Sequence, residues 1–166
     1  MKAIFNTTVL SNFAAIDQLD VLRMIFQHIY IPTAVYAEIQ NGLEEGYTFF
    51  EGIENQIYPF VTDGWIQLTT VAEEELRLLD TLPRRIHQGE AACLVIARQR
   101  QWLFLTDDLA ARKIAQKWQI LLSGTLSCLT LAVEKQLFTL PQANDFLTEM
   151  IAHGYHSPVI DLSSLK

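Results

Sequence analysis

Cysteine, histidine, glycine and proline are all scarce in this chain, and each scarcity removes a class of protein. Its 166 residues hold two cysteines, four histidines, seven glycines and five prolines. Cys93 and Cys128 are too few for a disulfide framework and lack zinc-ligand spacing, so they are expected as small buried residues in a reducing compartment. His28, His87, His153 and His156 have no evident nucleophile partner, and Gly-x-Ser-x-Gly is absent, which leaves serine or cysteine hydrolase chemistry unsupported. Little glycine and proline beside 50% hydrophobic and 10% aromatic residues excludes a disordered or collagen-like chain. No long apolar run exists either. The longest uncharged stretch, Trp118 to Val133, is interrupted by Ser, Thr, Gly and Gln and falls short of the roughly 20 residues a membrane span needs. The start shows no secretory pattern, only one lysine before Ala3-Ile4-Phe5, so cytoplasmic residence is expected. What remains is about one domain's worth of chain, long enough for a core that buries roughly 70% of the unfolded surface.

Positive charge is also short, with 12 Lys and Arg against 19 Asp and Glu, a net charge of −7. The deficit is uneven. Residues 83–118 hold Arg84, Arg85, Arg98, Arg100, Arg112, Lys113 and Lys117 against Glu90, Asp107 and Asp108. A local field rather than the total governs what approaches a surface, so this segment remains compatible with a nucleic-acid partner. Ordinary solvated helix faces would give the same count.

Short apolar runs alternate with helical patterns. Ala3-Ile4-Phe5, Ile29-Tyr30-Ile31, Trp65 to Leu68, Leu103 to Leu105 and Ile120 to Leu122 read as strands. Helices are expected over 9–15, 17–26, 33–40 (ended by Asn41-Gly42), 72–82, 89–101, 107–118 with Thr106 as cap, 124–136 and 140–153. Residues 43–58 read as one or two helices. Ala91 to Ala97 is apolar on all sides and predicts a buried helix. The alternation predicts an α/β class, a sandwich around a mainly parallel sheet, as a single domain over 1–153 with a weakly specified tail over 154–166.

Ligands of such sheets bind beyond the carboxyl ends of the strands. Strand one ends at Asn6-Thr7-Thr8, and the strand at 103–105 ends at Thr106-Asp107-Asp108. Glu38 lies on the helix after strand two, and Glu90 opens the buried helix. Oxygen donors converging at one sheet edge suit Mg²⁺ or Mn²⁺, and a cation would relieve the repulsion between the carboxylates. Each residue also has an ordinary explanation. Asp107, Asp108 and Glu90 suit helix N-termini, Glu38 suits a solvated helix face, and Asn6 suits a turn. An acidic pair or Asp-x-Asp after strand one, which a phosphoacceptor domain needs, is absent.

The order of these motifs resembles the PIN domain, the nuclease fold of VapC-type toxins. Phe5-Asn6-Thr7-Thr8-Val9-Leu10 resembles the strand-one motif of that family. Ile31-Pro32-Thr33-Ala34-Val35-Tyr36-Ala37-Glu38 resembles its Pro-x-x-Val-x-x-Glu motif. Gly89-Glu90-Ala91-Ala92 and Leu105-Thr106-Asp107-Asp108-Leu109-Ala110-Ala111-Arg112 are similar to the Gly-Glu-Ala and Asp-Asp-x-x-Ala-Arg segments of one bacterial subfamily. One departure stands out: the family places an aspartate where this chain has Asn6.

The resemblance implies a three-layer α/β/α sandwich and a Mg²⁺- or Mn²⁺-dependent endoribonuclease, the toxin of a toxin–antitoxin pair. It implies metal ligation by Asn6, Glu38, Glu90 and Asp108, with Asp107 as an alternate catalytic carboxylate. Thr7, Arg84, Arg85 and Arg112 would contact the RNA, with His87 beside the two arginines. Arg112 stands four residues after Asp108 and would otherwise pair with it along the helix. The implied partners are RNA, a small antitoxin protein and a second copy of the chain, with no membrane. Asn6 contributes no formal charge, which weakens metal binding and keeps open an alternative: a non-catalytic PIN-like module that binds protein or RNA. Residues 43–60, rich in Phe, Tyr and Ile, are a candidate surface for a partner.

Overall fold

The structure, a computed structural model, describes residues 1–165. The first strand, β1 (Ala3–Phe5), is buried at all three positions, as an interior parallel strand must be. Helices α1 (Thr7–Ala15) and α2 (Asp20–Phe26) follow. Strand β2 (Ile29–Pro32) then runs directly into α3 (Thr33–Glu44). Two 3-10 turns, Thr48–Phe50 and Ile53–Gln56, lead to the short strand β3 (Ile57–Tyr58), and β4 (Ile66–Thr69) returns beside it. Next come α4 (Glu73–Leu79), α5 (Gln88–Arg100), β5 (Leu103–Leu105), α6 (Leu109–Lys117), β6 (Leu122–Ser123), α7 (Thr125–Glu134) and α8 (Leu140–Ala152), and a last 3-10 turn at Leu162–Leu165.

All six strands are parallel, in the order β3-β4-β2-β1-β5-β6. Helices flank the sheet, giving the three-layer α/β/α arrangement. Helix α5 lies over β1, β2 and β5 with α3, α4 and α6 around it, while α7 and α8 pack together and reach α2 and α1. The uniformly apolar run predicted for α5 is buried from Ala92 through Ala97. Each large apolar side chain so buried contributes roughly 1.5–3 kcal/mol. Cys93 and Cys128 are both buried and unpaired.

The chain leaves β1 toward β2 on one side and returns to β5 on the other. The crevice between the carboxyl ends of β1 and β5 is therefore the topological switch point, where this architecture binds ligands.

Several boundaries differ from the sequence reading, each for a local reason. Helix α3 passes Asn41-Gly42 and stops at Gly46, whose φ of 101° is left-handed. Tyr47 N–H donates to Gly42 O at 2.9 Å and Gly46 N–H to Leu43 O at 3.2 Å, so the helix closes in a Schellman motif. Residues 43–58 thus hold the end of α3, two 3-10 turns and the edge strand β3 rather than one or two further helices. Ile120 is not in a strand: its N–H closes the end of α6 on Ala115 O at 2.9 Å, and β6 begins at Leu122. Asp108, not Thr106, caps α6. The segment after α8 returns to the core, where Leu162 is buried.

Candidate functional site

Asn6 is the first residue beyond β1 and the N-cap of α1, 1% exposed. Its Oδ1 accepts from the Thr8 N–H at 3.1 Å and the Thr8 hydroxyl at 2.7 Å. Its Nδ2 donates to Thr106 Oγ1, just beyond β5, at 2.6 Å. Both ends of the amide are therefore used inside the fold. Thr8 Oγ1 also accepts from the Asp107 N–H at 2.9 Å, and Thr106 Oγ1 accepts from the Asp108 N–H at 3.1 Å. Two threonine hydroxyls and one amide thus lace the ends of β1 and β5 together across the switch point.

Asp107 points away from the other acids, toward the start of α7. Its Oδ1 accepts from the Thr125 N–H at 3.0 Å, and its Oδ2 accepts from Asn12 Nδ2 at 3.0 Å and from the Thr125 hydroxyl. A Cβ on Gly124 would stand 2.6 Å from Asp107 Oδ1, so glycine is required there for the carboxylate to seat on the helix N-terminus. Arg112 does not pair with Asp108. Its Nη1 donates to Thr106 O at 2.8 Å and Ser123 O at 3.1 Å, tying the carboxyl ends of β5 and β6.

Three carboxylates gather on the other side of this knot. Glu38 accepts from the Thr7 hydroxyl at 2.7 Å through Oε2 and from the Gly89 N–H at 3.0 Å through Oε1. It thereby reaches the free amides at the start of α5, where the helix dipole favours an anion. Here too a glycine makes the approach possible, because a Cβ on Gly89 would stand 2.5 Å from Glu38 Oε1. Asp108 caps α6, its Oδ2 accepting from the Ala111 N–H at 2.8 Å. Glu90 is half-buried in the first turn of α5, close to His87. Burial pushes its carboxyl up to about 7, the Asp108 charge and to a lesser degree that of Glu38 push the same way, and His87 pulls against them.

The donor set is all oxygen, which suits a hard divalent cation, and the raised Glu90 reflects its burial together with its acidic neighbours. Among the described residues no three His, Cys, Asp or Glu side chains stand close enough to enclose one ion. Two of the acids lean on local bonds instead: Glu38 on Thr7 and Gly89, and Asp108 on Ala111. Mg²⁺ keeps several of its waters and needs only one or two direct carboxylates, so it does not require three acids in direct contact. The set of Glu38, Glu90 and Asp108 therefore fits such an ion, whereas Asn6 and Asp107 have their oxygens committed to the fold.

A groove of about 1550 Å³ starts at Thr7 and Asp108 and runs past Asn12, Arg112 and Ser127 to Tyr155. Glu38 and Glu90 lie outside it. Arg84 and Arg85 are exposed in the loop before α5 and have no hydrogen-bond or ion-pair partner among the described residues. Sequence reasoning missed Thr106 and Thr8 as ties between strands, and Asn12 and Thr125 as the seat of Asp107. Only the run Asn6-Thr7-Thr8 and the repeat of a threonine at the end of β5 hinted at them.

A family model described as DUF3368, a PIN domain, matches residues 2–160. No curated protein and no solved structure matches the chain. Domains of this family are nuclease-type modules that generally use divalent metal ions. No helix among the described residues is long and apolar enough to cross a membrane. With all but the first residue and the last few inside the match, and the sheet order and acid placement described above, the chain belongs to the PIN domain family.

Proposed function

We propose that this chain is a Mg²⁺- or Mn²⁺-dependent endoribonuclease, the toxin of a toxin–antitoxin pair, acting in the cytoplasm. The observation that carries the reading is the gathering of Glu38, Glu90 and Asp108 near the switch point, where burial first and the Asp108 and Glu38 charges after it raise Glu90 to about 7. A divalent ion held by these three would supply activation of a water and neutralisation of charge on the phosphate. The chain's own part is to hold and move protons and to orient. Without the ion Glu90 keeps its proton up to about 7, and the ion would displace that proton on binding. Thr7 and Gly89 fix the Glu38 carboxylate through both of its oxygens. Arg84 and Arg85, exposed and unpaired, are placed to grip the RNA backbone, contacts that carry affinity without sequence information. Arg112 braces the ends of β5 and β6 through Nη1 alone, and from the groove its Nε and Nη2 donors would still serve a phosphate contact. A small antitoxin protein and a second copy of the chain are the partners this reading expects.

Asn6 supports a second reading, a PIN-like module that binds RNA or protein without cutting. Its amide is buried, neutral and bonded at both ends, so it adds no charge to the site. The deciding measurement is cleavage of a mixed RNA by the native chain, Glu38→Gln and Asp108→Ala, with and without EDTA. Cleavage by the native chain that EDTA abolishes and both substitutions remove is the expected result. Equal background in all three, indifferent to EDTA, would leave the binding module.

A further inference from the structure

Catalysis uses only the mouth of the groove. From Thr7 and Asp108 the groove continues past Arg112 to Tyr155, and Glu38 and Glu90 lie outside it. Arg84 and Arg85 are exposed on the other flank of the acids, in the loop that leads into α5 and Glu90. A strand cut at the acids therefore meets two different surfaces: exposed cations on one side of the scissile phosphate and a walled groove on the other. The far end of that groove is set by the close of α8. Gly154 has a left-handed φ of 110°, Tyr155 N–H donates to Met150 O at 3.0 Å and Gly154 N–H to Ile151 O at 3.1 Å. This is the closure that also ends α3, and it turns the chain so that Tyr155 lines the groove. Burial first and the Asp107 charge after it raise the Tyr155 phenol above the ordinary tyrosine range, with Ser157 and Arg112 pulling the other way. The phenol thus lies in the field of both charges and stays a neutral hydroxyl at physiological pH.

The lining selects the occupant. A long phosphate track needs a positive groove, and this one holds a single guanidinium, that of Arg112, with Nε and Nη2 to spare. The Asp107 oxygens are already taken by Thr125 and Asn12. Leu126 and Leu131 supply apolar surface, and the exposed Ser127 hydroxyl and the Tyr155 phenol supply neutral hydrogen-bonding groups. One cation, an apolar wall and neutral polar groups match one or two nucleotides better than a run of phosphates. The phosphate goes to Arg112, and the base, turned out of its stack, lies on the apolar wall with its edge toward the hydroxyls. A basic peptide would instead meet the Arg112 charge with its own.

We infer that the groove between Arg112 and Tyr155 is a nucleobase pocket for one side of the cut, with Tyr155 and Ser127 as its specificity-determining residues. The inference rests on the ribonuclease reading, and it assigns sequence preference to one flank of the scissile bond while the Arg84 and Arg85 flank is read without regard to base. Two measurements on the full chain test it. In the first, a random-sequence RNA is cut with Mn²⁺ by the native chain, Tyr155→Phe and Ser127→Ala, and the bases on both sides of each cut are counted. The native chain is expected to prefer particular bases on one side only. Tyr155→Phe should weaken that preference about tenfold and Ser127→Ala several-fold, with the other side unchanged. Ser127→Ala alters only an exposed side chain, so its effect does not depend on refolding of the groove. In the second, mixed-base trinucleotides and an Arg-rich peptide are titrated in EDTA into protein carrying ring-labelled tyrosine, with the Tyr155 resonance identified by its loss in Tyr155→Phe. The trinucleotides should shift that resonance and the peptide should not. A chain that cuts nothing yet shows this shift would lose the nuclease reading and keep the pocket. The pocket is overturned if the trinucleotides leave Tyr155 unmoved, if the peptide alone shifts it, or if cleavage occurs with a base preference that neither variant changes.

Discussion

Asp107 and Asp108 are neighbours in the chain and face opposite sides of the switch point, and the two sides are built differently. On the Asp107 side every polar group has a partner: both carboxylate oxygens, the Asn6 amide, Asn12 and the hydroxyls of Thr8, Thr106 and Thr125. On the Asp108 side one oxygen of the carboxylate caps a helix, and Glu90 is crowded by two other acids. The bonded side fixes where β1, β5 and α7 end. The open side keeps carboxylates together at the cost of mutual repulsion, which a rigid neighbour makes tolerable. Adjacent aspartates can thus hold one site together and leave it poised.

The comparison can be broken most forcefully at Asp107. Asp107→Ala strips the Thr125 amide and hydroxyl and Asn12 of their acceptor, and we expect a loss of about 3 kcal/mol in urea unfolding. Asp108→Ala removes a single helix cap and should cost only about 1 kcal/mol in the same experiment, while abolishing metal-dependent cleavage. Equal losses from the two substitutions would contradict the division of labour.

The open side should be next most sensitive at Gly89. Gly89→Ala puts a Cβ onto the Glu38 carboxylate, so Glu38 must leave the N-terminus of α5. A destabilisation of about 1–2 kcal/mol is expected, together with weaker Mn²⁺ binding by electron paramagnetic resonance. Unchanged Mn²⁺ affinity would show that the docked position of Glu38 is unimportant.

Glu90 sharpens the comparison through pH. Its folded carboxyl lies near 7 against an ordinary 4.5, so the folded state holds the proton more tightly than the unfolded one. The metal-free protein should therefore lose stability as pH rises from 4.5 through about 7. A divalent ion reverses the sign, since it competes with that proton, and Mn²⁺ should bind more tightly as pH rises over the same range. Thermal melts of native and Glu90→Gln protein across this range, with and without Mn²⁺, check both slopes. The substitution should flatten each.

The smallest effect is expected at Asn6. Asn6→Asp forfeits the amide donated to Thr106, but the Thr106 hydroxyl carries a hydrogen it can donate in return, so stability should change little. The added charge should raise cleavage about tenfold, the equivalent of about 1.4 kcal/mol in the transition state. Activity no higher than that of the native chain would mean that residue 6 belongs wholly to the bonded side.

Much of the fold was legible because it follows from patterns local to the chain. Apolar triplets at 3–5 and 103–105 gave strands, and the all-apolar run at 91–97 gave the buried α5. The stretch 43–58 was not legible. Its helix ends by a left-handed Gly46, not at the stronger-looking Asn41-Gly42, and a two-residue strand such as β3 has no period to detect. At the site, the acids themselves could be found from their places after strands and at helix starts. Their orientations could not. Nothing in Asp107-Asp108 says which carboxylate turns to Thr125 and which caps α6, and nothing in the four-residue spacing of Asp108 and Arg112 says that the guanidinium will prefer two carbonyls.

By itself, then, the sequence determined the α/β class, the buried helix, and which acids lie near the carboxyl ends of the strands, because periodicity and composition are properties of neighbouring residues. Only the tertiary structure decided that Asn6 joins β1 to β5 through Thr106, a hundred residues away. It also decided that Glu38 docks on the start of α5. Those outcomes depend on which strand lies beside which, and sheet order is fixed by long-range packing that no local window of residues contains.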